Sequence, residues 1–493
     1  MRSTLSFRLI CVAIVAAIAC GAVGCGKSEG NAGAPRSEEV TPRPSAKGAP
    51  NFVIVMTDDQ AIRSLRFMPA VRHLLGGRGM TFTKSFTTTP ECCPARATFL
   101  TGQYSHNHGV LSSDPPEGGY AALEDRDNIL PVWLQAAGYR TGHVGKYLNG
   151  YGVESRGSDP SEVPEGWDLW SAPVNGTEDR RYGYTLNIDG GLHDYGEDAR
   201  AYQTDVFARQ ASAFVRRSAG KRPFFLNVAP TAPHSEGVIP ATVPRDPRPA
   251  PRHLDSLEGT ALPRTPSFKT PPGDSVPDAI VRRVERGEEQ TSISMLEAGF
   301  LGRSESLLAV DEMVRRLVQD LRDTDELADT YFIFTSDNGF LLGEHGLRGK
   351  DVAYEEAVRV PLIVRGPGID AGATNASLVA NVDLAPTMLE LAKASPERKL
   401  DGQSLVSALR GDDSPARKAL LLELLDGREE FQAVRTKRWK LADYASGGSQ
   451  LFDLDKDPYE LKNLAGDPSV ADTERELRQT LRELSDCAGA SCR

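Results

Sequence analysis

The sequence lacks Cys-x-x-Cys pairs of zinc-ligand spacing, an excess of basic residues, an apolar run of membrane-spanning length and any internal repeat. The first absence removes the common structural zinc sites. The second, 57 Lys and Arg against 68 Asp and Glu for a net charge of −11, argues against general nucleic-acid binding. Attraction of an anionic substrate must then come from a local cluster of cations and metal. The third confines membrane attachment to something other than a spanning helix. What is present is ordinary for a globular protein of more than one domain: 493 residues, 40% hydrophobic and 25% charged.

The first residues read as a targeting segment. Arg2 and Arg8 precede the short apolar stretch Leu9 to Val23. Ala22-Val23-Gly24-Cys25 looks like a bacterial lipobox with Cys25 as the lipidated residue; Ala17-Ile18-Ala19-Cys20 is a weaker candidate. A plain signal peptide, giving a secreted protein, is the alternative. The expectation is a lipoprotein of the bacterial cell envelope, held by its lipid alone. Residues 26–50, rich in Gly, Ser, Pro and charge, read as a flexible tether.

From Asn51 onward apolar strand-like runs alternate with helical periodicity. NFVIVMT (51–57) ends in Asp58-Asp59, Leu65 to Leu75 has helical spacing, and Gly79 to Phe86 returns as a strand. A helix over Ile129 to Ala137 precedes the strand Tyr139 to Val144 and then Lys146. Glu154 to Gly196, rich in Gly, Tyr and Trp, looks like a long surface excursion. A helix over Tyr202 to Arg217 leads to the strand PFFLNV and then His234. Gly237 to Pro277, Pro- and Arg-rich, reads as a rim beside a substrate cleft. The helix Ser292 to Leu321, the strand Thr330 to Thr335 ending in Ser336-Asp337-Asn338-Gly339, the strand Val360 to Val364 and the helix Val382 to Leu391 follow. This alternation predicts an α/β domain over 51–410, a large, mostly parallel sheet between helices. Four short strand-like runs and a helix over Ala471 to Leu484 predict a small antiparallel sheet packed by a helix in 411–493. Cys487 and Cys492 are close enough to pair in an exported protein, and two free thiols are the other reading.

The stretch that carries chemistry is ECCPARATFLTGQYSHNHGV, 91–110. Pro94 suits the first helical position, Gly102 a helix stop, and Arg96 lies one turn along. Cys92 would then sit at a helix N-terminus, where the dipole favours negative charge. Parallel strand ends converge on one face of a sheet, so Asp58, Asp59, Asp337 and Asn338 are expected beside Cys92. Carboxylates brought to ~4 Å repel by about 4 kcal/mol per pair at an effective dielectric of about 20, so they require a cation. All-oxygen donors suit a hard ion, Ca²⁺ or Mg²⁺. Lys146 and Lys350 follow strand ends, and His234, with His345 a weaker candidate, could protonate a leaving group.

These residues resemble the sulfatase family, within the alkaline-phosphatase-like superfamily. Cys92-Cys93-Pro94-Ala95-Arg96 followed by Phe99-Leu100-Thr101-Gly102 matches its first signature, and GYRTGHVGKYL (138–148) its second. CCPARATFLTGQYSHNHGV with GKYLNGYG is most similar to the N-acetylglucosamine-6-sulfatase and heparan-6-sulfatase branch. The resemblance implies that a separate maturation enzyme oxidises Cys92 to formylglycine, whose hydrate attacks sulfur. It implies a divalent metal, Ca²⁺ before Mg²⁺, on Asp58, Asp59, Asp337 and Asn338 with the residue at Cys92. Arg96, Lys146 and Lys350 would neutralise the sulfate, and His234 would protonate the departing alcohol of a sulfated carbohydrate. Many family members carry a His two residues after the signature lysine; here that position is Leu148, and its role is expected to pass to Asn149 or another His. Glu91 departs from the usual small or apolar residue, and Cys93 has no role beyond its likeness to the branch. Phosphate or phosphonate ester hydrolysis on the same scaffold, and a non-catalytic glycan-binding lipoprotein with unmodified Cys92, are the competing readings.

Overall fold

The computed structural model describes residues 48–236, 246–270, 276–287, 292–412, 417–426 and 430–493. Cys25, the export segment, most of the tether and parts of the 237–277 rim lie outside the described residues.

Ten strands form the main sheet: β1 (Asn51–Thr57), β2 (Met80–Phe82), β3 (Arg140–Gly145), β4 (Leu169–Val174), β5 (Tyr184–Ile188), β6 (Gly191–Tyr195), β7 (Phe224–Ala229), β8 (Thr330–Ser336), β9 (Leu362–Arg365) and β10 (Ala373–Asn375). Their order is β10-β2-β9-β8-β1-β7-β3-β4-β5-β6. The centre, β8 to β4, is parallel throughout, and antiparallel pairings flank it on both sides. The principal helices are α1 (Cys92–Thr101), α2 (Leu130–Ala136), α3 (Gln203–Ser218), α4 (Ile293–Asp323), α5 (Leu384–Ala392) and α6 (Ala471–Ser485).

Strand β1 shows why the sheet is sandwiched. Its side chains alternate across the sheet. Phe52, Ile54 and Met56 enter the core with α1, α2 and α5, whereas Val53 and Val55 enter the core with α3 and α4. A strand buried on both faces needs an unbroken apolar run, which is what NFVIVMT supplies.

The small sheet runs β11 (Ala419–Leu424), β12 (Phe431–Thr436), β13 (Trp439–Tyr444) and β14 (Ser449–Asp453), all antiparallel. Leu477, Leu481 and Leu484 of α6 are buried in the same core as this sheet. Cys487 and Cys492, just past α6, form a disulfide.

Three local expectations are corrected. Residues 154–196 are not a surface excursion: β4, β5 and β6 extend the main sheet. Trp170 is fully buried and stacks on His143 of β3 at 4.7 Å, and its indole N–H donates to Tyr151, so the aromatics that suggested a loop build a core. The single helix expected over Leu65 to Leu75 is two short helical turns, Ile62–Phe67 and Val71–Leu75, because Pro69 interrupts the pattern. The strand over Gly79 to Phe86 divides into Met80–Phe82 and Ser85–Phe86, the second pairing with Val379–Ala380.

Candidate active site

Register places the carboxylates. In β1 and β8 Thr57 lies opposite Ser336, so the next residues, Asp58 and Asp337, emerge side by side at the carboxyl edge. The backbone N–H of Asp337 donates to the Thr57 carbonyl (3.1 Å) and that of Asp59 to Asp337 Oδ1 (3.0 Å). Asp59 holds the left-handed conformation, φ 63°. Strain of this kind in a non-glycine residue clusters at functional sites. The Asn338 side-chain amide donates to Asp59 Oδ1 at 2.7 Å.

Helix α1 begins at Cys92 itself, with Glu91 as N-cap, so Pro94 is third in the helix and not first. Every first-turn amide lacks an intrahelical acceptor, so proline is tolerated there as well. Gly102 ends the helix with φ 68°. Cys92 Sγ lies 3.2 Å from Asp58 Oδ1 and 3.9 Å from Asp59 Oδ1. The dipole and the nearby ammonium groups do not make it a thiolate: burial, then the Asp58 charge, hold the Cys92 thiol well above its ordinary value. Cys93 points the other way. It is fully buried in the apolar core beneath the site, and burial pushes its thiol up to about 12.

Three cations meet three carboxylates. Lys146 Nζ is 2.7 Å from Asp58 Oδ2. Arg96 donates to Asp337 Oδ2 through Nε (3.0 Å) and Nη2 (2.8 Å), and through Nη1 to the Lys146 carbonyl. Lys350 Nζ stands among Asp59 Oδ1 (2.5 Å), Cys92 Sγ (2.5 Å) and Asn338 Oδ1 (3.3 Å). Burial raises the Asp58 carboxyl, but Lys146, His234, Arg96 and Lys350 outweigh it and hold the group well below the carboxylate range. Burial and the neighbouring Asp58 charge leave Asp337 raised. His234 Nε2 is 3.7 Å from Asp59 Oδ2, and Nδ1 is 2.7 Å from the Ser235 carbonyl and 3.3 Å from Asp179 Oδ1.

The structure therefore brings together Asp58, Asp59, Cys92, Arg96, Lys146, His234, Asp337, Asn338 and Lys350. Two weaker candidates stand apart. Asn149 is half-buried, its carbonyl accepts the Tyr120 N–H, and its side-chain Oδ1 is buried with no hydrogen-bond partner among the described residues. His345 is buried in a stack on Tyr354, ring centroids 3.8 Å apart, with Nε2 toward Glu356. Leu148 is buried in the apolar core. Glu91 accepts the Ser113 N–H at 2.8 Å, and burial with Asp351 nearby lifts its carboxyl to about 7. His106 and His108, also in the signature stretch, hold the fold: His106 binds Glu423 of β11 (2.9 Å), and His108 binds Thr98 of α1 (3.0 Å).

Two members of the site had escaped the sequence. Arg303 of α4 is buried, reaches the Asp59 carbonyl through Nη2 and packs 3.7 Å over Phe340. Its signal was an arginine on the apolar stripe Leu296-Phe300-Arg303-Leu307. Asp179, 3.4 Å from Lys146 and 3.3 Å from His234, had none.

A family profile described as Sulfatase matches residues 50–394, and one described as N-sulphoglucosamine sulphohydrolase, C-terminal, matches residues 343–487. An N-acetylglucosamine-6-sulfatase of Capra hircus is 32% identical over 91% of this chain and 86% of its own. A solved structure in complex with its substrate, D-glucosamine-2-N,6-O-disulfate, is similar with a TM-score of 0.76 at 24% identity, covering 89% of this chain and 97% of that one. The phosphonate monoester hydrolase of Agrobacterium radiobacter is similar with a TM-score of 0.69 at 22% identity, covering 88% and 95%. At these identities both solved structures speak to the fold alone.

Proposed function

Because the chain belongs to the sulfatase family and is a sulfuric ester hydrolase, we propose that it removes sulfate from a 6-O-sulfated amino sugar such as N-acetylglucosamine 6-sulfate, using formylglycine made from Cys92 and a hard divalent cation. The observation that carries the chemistry is the contact of Cys92 Sγ with Asp58 and Lys350 inside a buried cluster of three carboxylates and three cations. The sugar rests on the relative's name alone.

The donor set fits a cation. The ammonium of Lys350 already lies among Asp59, Asn338 and Cys92, three of the expected ligands. Asp58, Asp59, Asp337 and Asn338 would hold the ion, Ca²⁺ with Mg²⁺ as alternative. Bound there, it supplies charge stabilisation and polarises a sulfate oxygen. Formylglycine at position 92 supplies a hydrated aldehyde, one hydroxyl to attack sulfur and a second to release it.

The remaining work falls to this chain's own residues. Three carboxylates against three cations balance to zero, so an added dication makes the site positive. That attracts a sulfate monoester to a protein of net charge −11. Arg96, Lys146 and Lys350 neutralise sulfate oxygens as charge develops. Asp58, 3.2 Å from the atom at position 92, orients the attacking hydroxyl, whose proton passes to a carboxylate of the cluster. His234, poised by Asp179 and the Ser235 carbonyl, protonates the departing alcohol. Thiolate chemistry is not invoked, since the Cys92 thiol is held protonated.

The reading includes a formylglycine-generating partner, and export with lipidation at Cys25. Sulfate release from N-acetylglucosamine 6-sulfate, measured beside 2-O- and N-sulfated saccharides and an aryl phosphate, tests it. Preference for the 6-sulfate is expected; stronger turnover of the phosphate would overturn the sulfate reading. An unchanged thiol mass for the Cys92 peptide from the native host would overturn the formylglycine.

A further inference from the structure

A second group of metal-ligand atoms converges outside the active site. One ligand atom each of His345, Glu356 and Glu460 lies within 4.8 Å of the other two, and His345 Nε2 is 3.9 Å from Glu356 Oε2. His345 Nε2 and Glu356 Oε2 are buried and have no hydrogen-bond partner among the described residues, whereas Glu460 Oε1 is met by Lys440. Buried polar atoms are almost always paired, and an exception points to water or an ion. Two such atoms facing each other, with a third carboxylate beside them, are harder to leave empty than one.

The surroundings favour a cation. Arg435 pairs with Glu355 at 2.9 Å, and Lys440 pairs with Glu460 Oε1 and lies 3.4 Å from Glu355. Glu356 has no lysine or arginine within ion-pair distance among the described residues, and only His345, at 3.9 Å, is near its free oxygen. The His345 Nε2 atom is bonded to no described residue, which leaves it available to a metal. The ring is fixed by its stack on Tyr354, whose hydroxyl accepts from Gln450 of β14.

We propose that His345, Glu356 and Glu460 form a second divalent-metal site, of Zn²⁺ type, that fastens the segment carrying Lys350 to the C-terminal sheet. One imidazole nitrogen and two carboxylate oxygens are a borderline donor set, suited to Zn²⁺ and its first-row neighbours more than to Ca²⁺. His345 lies five residues before Lys350, Glu356 lies in the short helix Glu355–Val358, and Glu460 follows β14. An ion shared by the three, with Lys440 retaining part of Glu460, adds a cross-link to elements already joined by the Arg435–Glu355 ion pair and the Glu355 N–H to Glu460 hydrogen bond. The site is separate from the Cys92 cluster and its existence does not depend on the reading given there.

The test is elemental analysis of the full chain, loaded with Zn²⁺ and desalted through a weak chelator. Wild type, His345→Gln, Glu356→Gln and Asp337→Asn are compared, each with its melting temperature with and without Zn²⁺. A stoichiometric Zn²⁺ that persists in Asp337→Asn but is lost from both His345→Gln and Glu356→Gln is expected, with a Zn²⁺-dependent rise in melting temperature in wild type only. Glu356→Gln keeps the shape and a hydrogen-bond donor toward His345, so it folds if a shared proton is what the site holds. Zn²⁺ retained by Glu356→Gln, Zn²⁺ lost only from Asp337→Asn, or no Zn²⁺ in wild type would each overturn the proposal.

Discussion

Cys92 and Cys93 are chemically identical neighbours, and replacing each by alanine should separate their roles. Both side chains are almost wholly buried, at 3% and 0% exposure, so each substitution removes one buried sulfur. By analogy with deletion of a single core methylene, either costs about 1 kcal/mol. In a chain this long that lowers the melting temperature by about 2 °C or less. Stability therefore does not distinguish them, and activity should. Cys92→Ala removes the atom 3.2 Å from Asp58 and 2.5 Å from Lys350, with it the precursor of the nucleophile, and turnover should fall on the order of 10⁴-fold or more. Cys93→Ala empties a small space in the apolar core and should leave kcat within about threefold of wild type, since it removes no interaction made in the transition state. The assay is sulfate release per mole of formylglycine, with aldehyde content read by mass spectrometry so that poor maturation is not mistaken for poor catalysis. Turnover surviving in Cys92→Ala would refute the assignment. So would a matured, stable Cys93→Ala without activity.

Three further outcomes follow from the geometry. His234→Gln should lower kcat by about 10²–10⁴ on a sugar sulfate but much less on an activated aryl sulfate, whose leaving group needs no proton; equal losses on the two would remove His234 as the acid. In Gly145→Ala the new Cβ would sit 2.1 Å from the Ala229 carbonyl oxygen, the acceptor of the Lys146 N–H, at a φ of +119°. A loss of about 2 kcal/mol or more together with misplacement of Lys146 is expected, and denaturant unfolding that matches wild type would contradict it. Burial holds His108 and His143 at about 3, against about 6.5 in the unfolded chain. The unfolded state thus binds more protons between those values. Stability should be complete above about pH 6.5 and fall below it by up to ~1.4 kcal/mol per pH unit for each histidine. His106, raised by Glu423 despite its burial, acts in the opposite sense. NMR titration showing either His108 or His143 protonating near pH 6 in the folded protein would refute this.

Much of the architecture was legible because it is written in local pattern. The run NFVIVMT became β1 with the same bounds, and the helix after Cys92 ends at Gly102, where a left-handed residue is required. The strand-end acids and Lys146 were legible for a related reason: parallel strands deliver their carboxyl ends to one edge. Patterns failed where burial comes from distant partners. Trp170 looks like a loop residue until His143 and Tyr147 pack against it. The arginine at 303 broke an apolar stripe that could have been noticed, whereas the half-buried Asp179 broke none.

By itself the sequence determined spacing: Cys92 two residues from Pro94 and four from Arg96, adjacent acids after an apolar run, and a chain whose acidic balance leaves anion capture to a few cations. Covalent neighbours and short-range sterics suffice for that. Only the tertiary structure decided which groups share a site. His234 and His345 each follow a strand, yet one faces Asp59 and the other faces Glu356. Cys92 and Cys93 differ by one residue on a helix, a rotation that turns one sulfur to the carboxylates and the other to the core. The register that sets Thr57 against Ser336 places Asp58 beside Asp337 across 279 residues of chain. Electrostatic energy depends on those through-space distances, which no local pattern encodes.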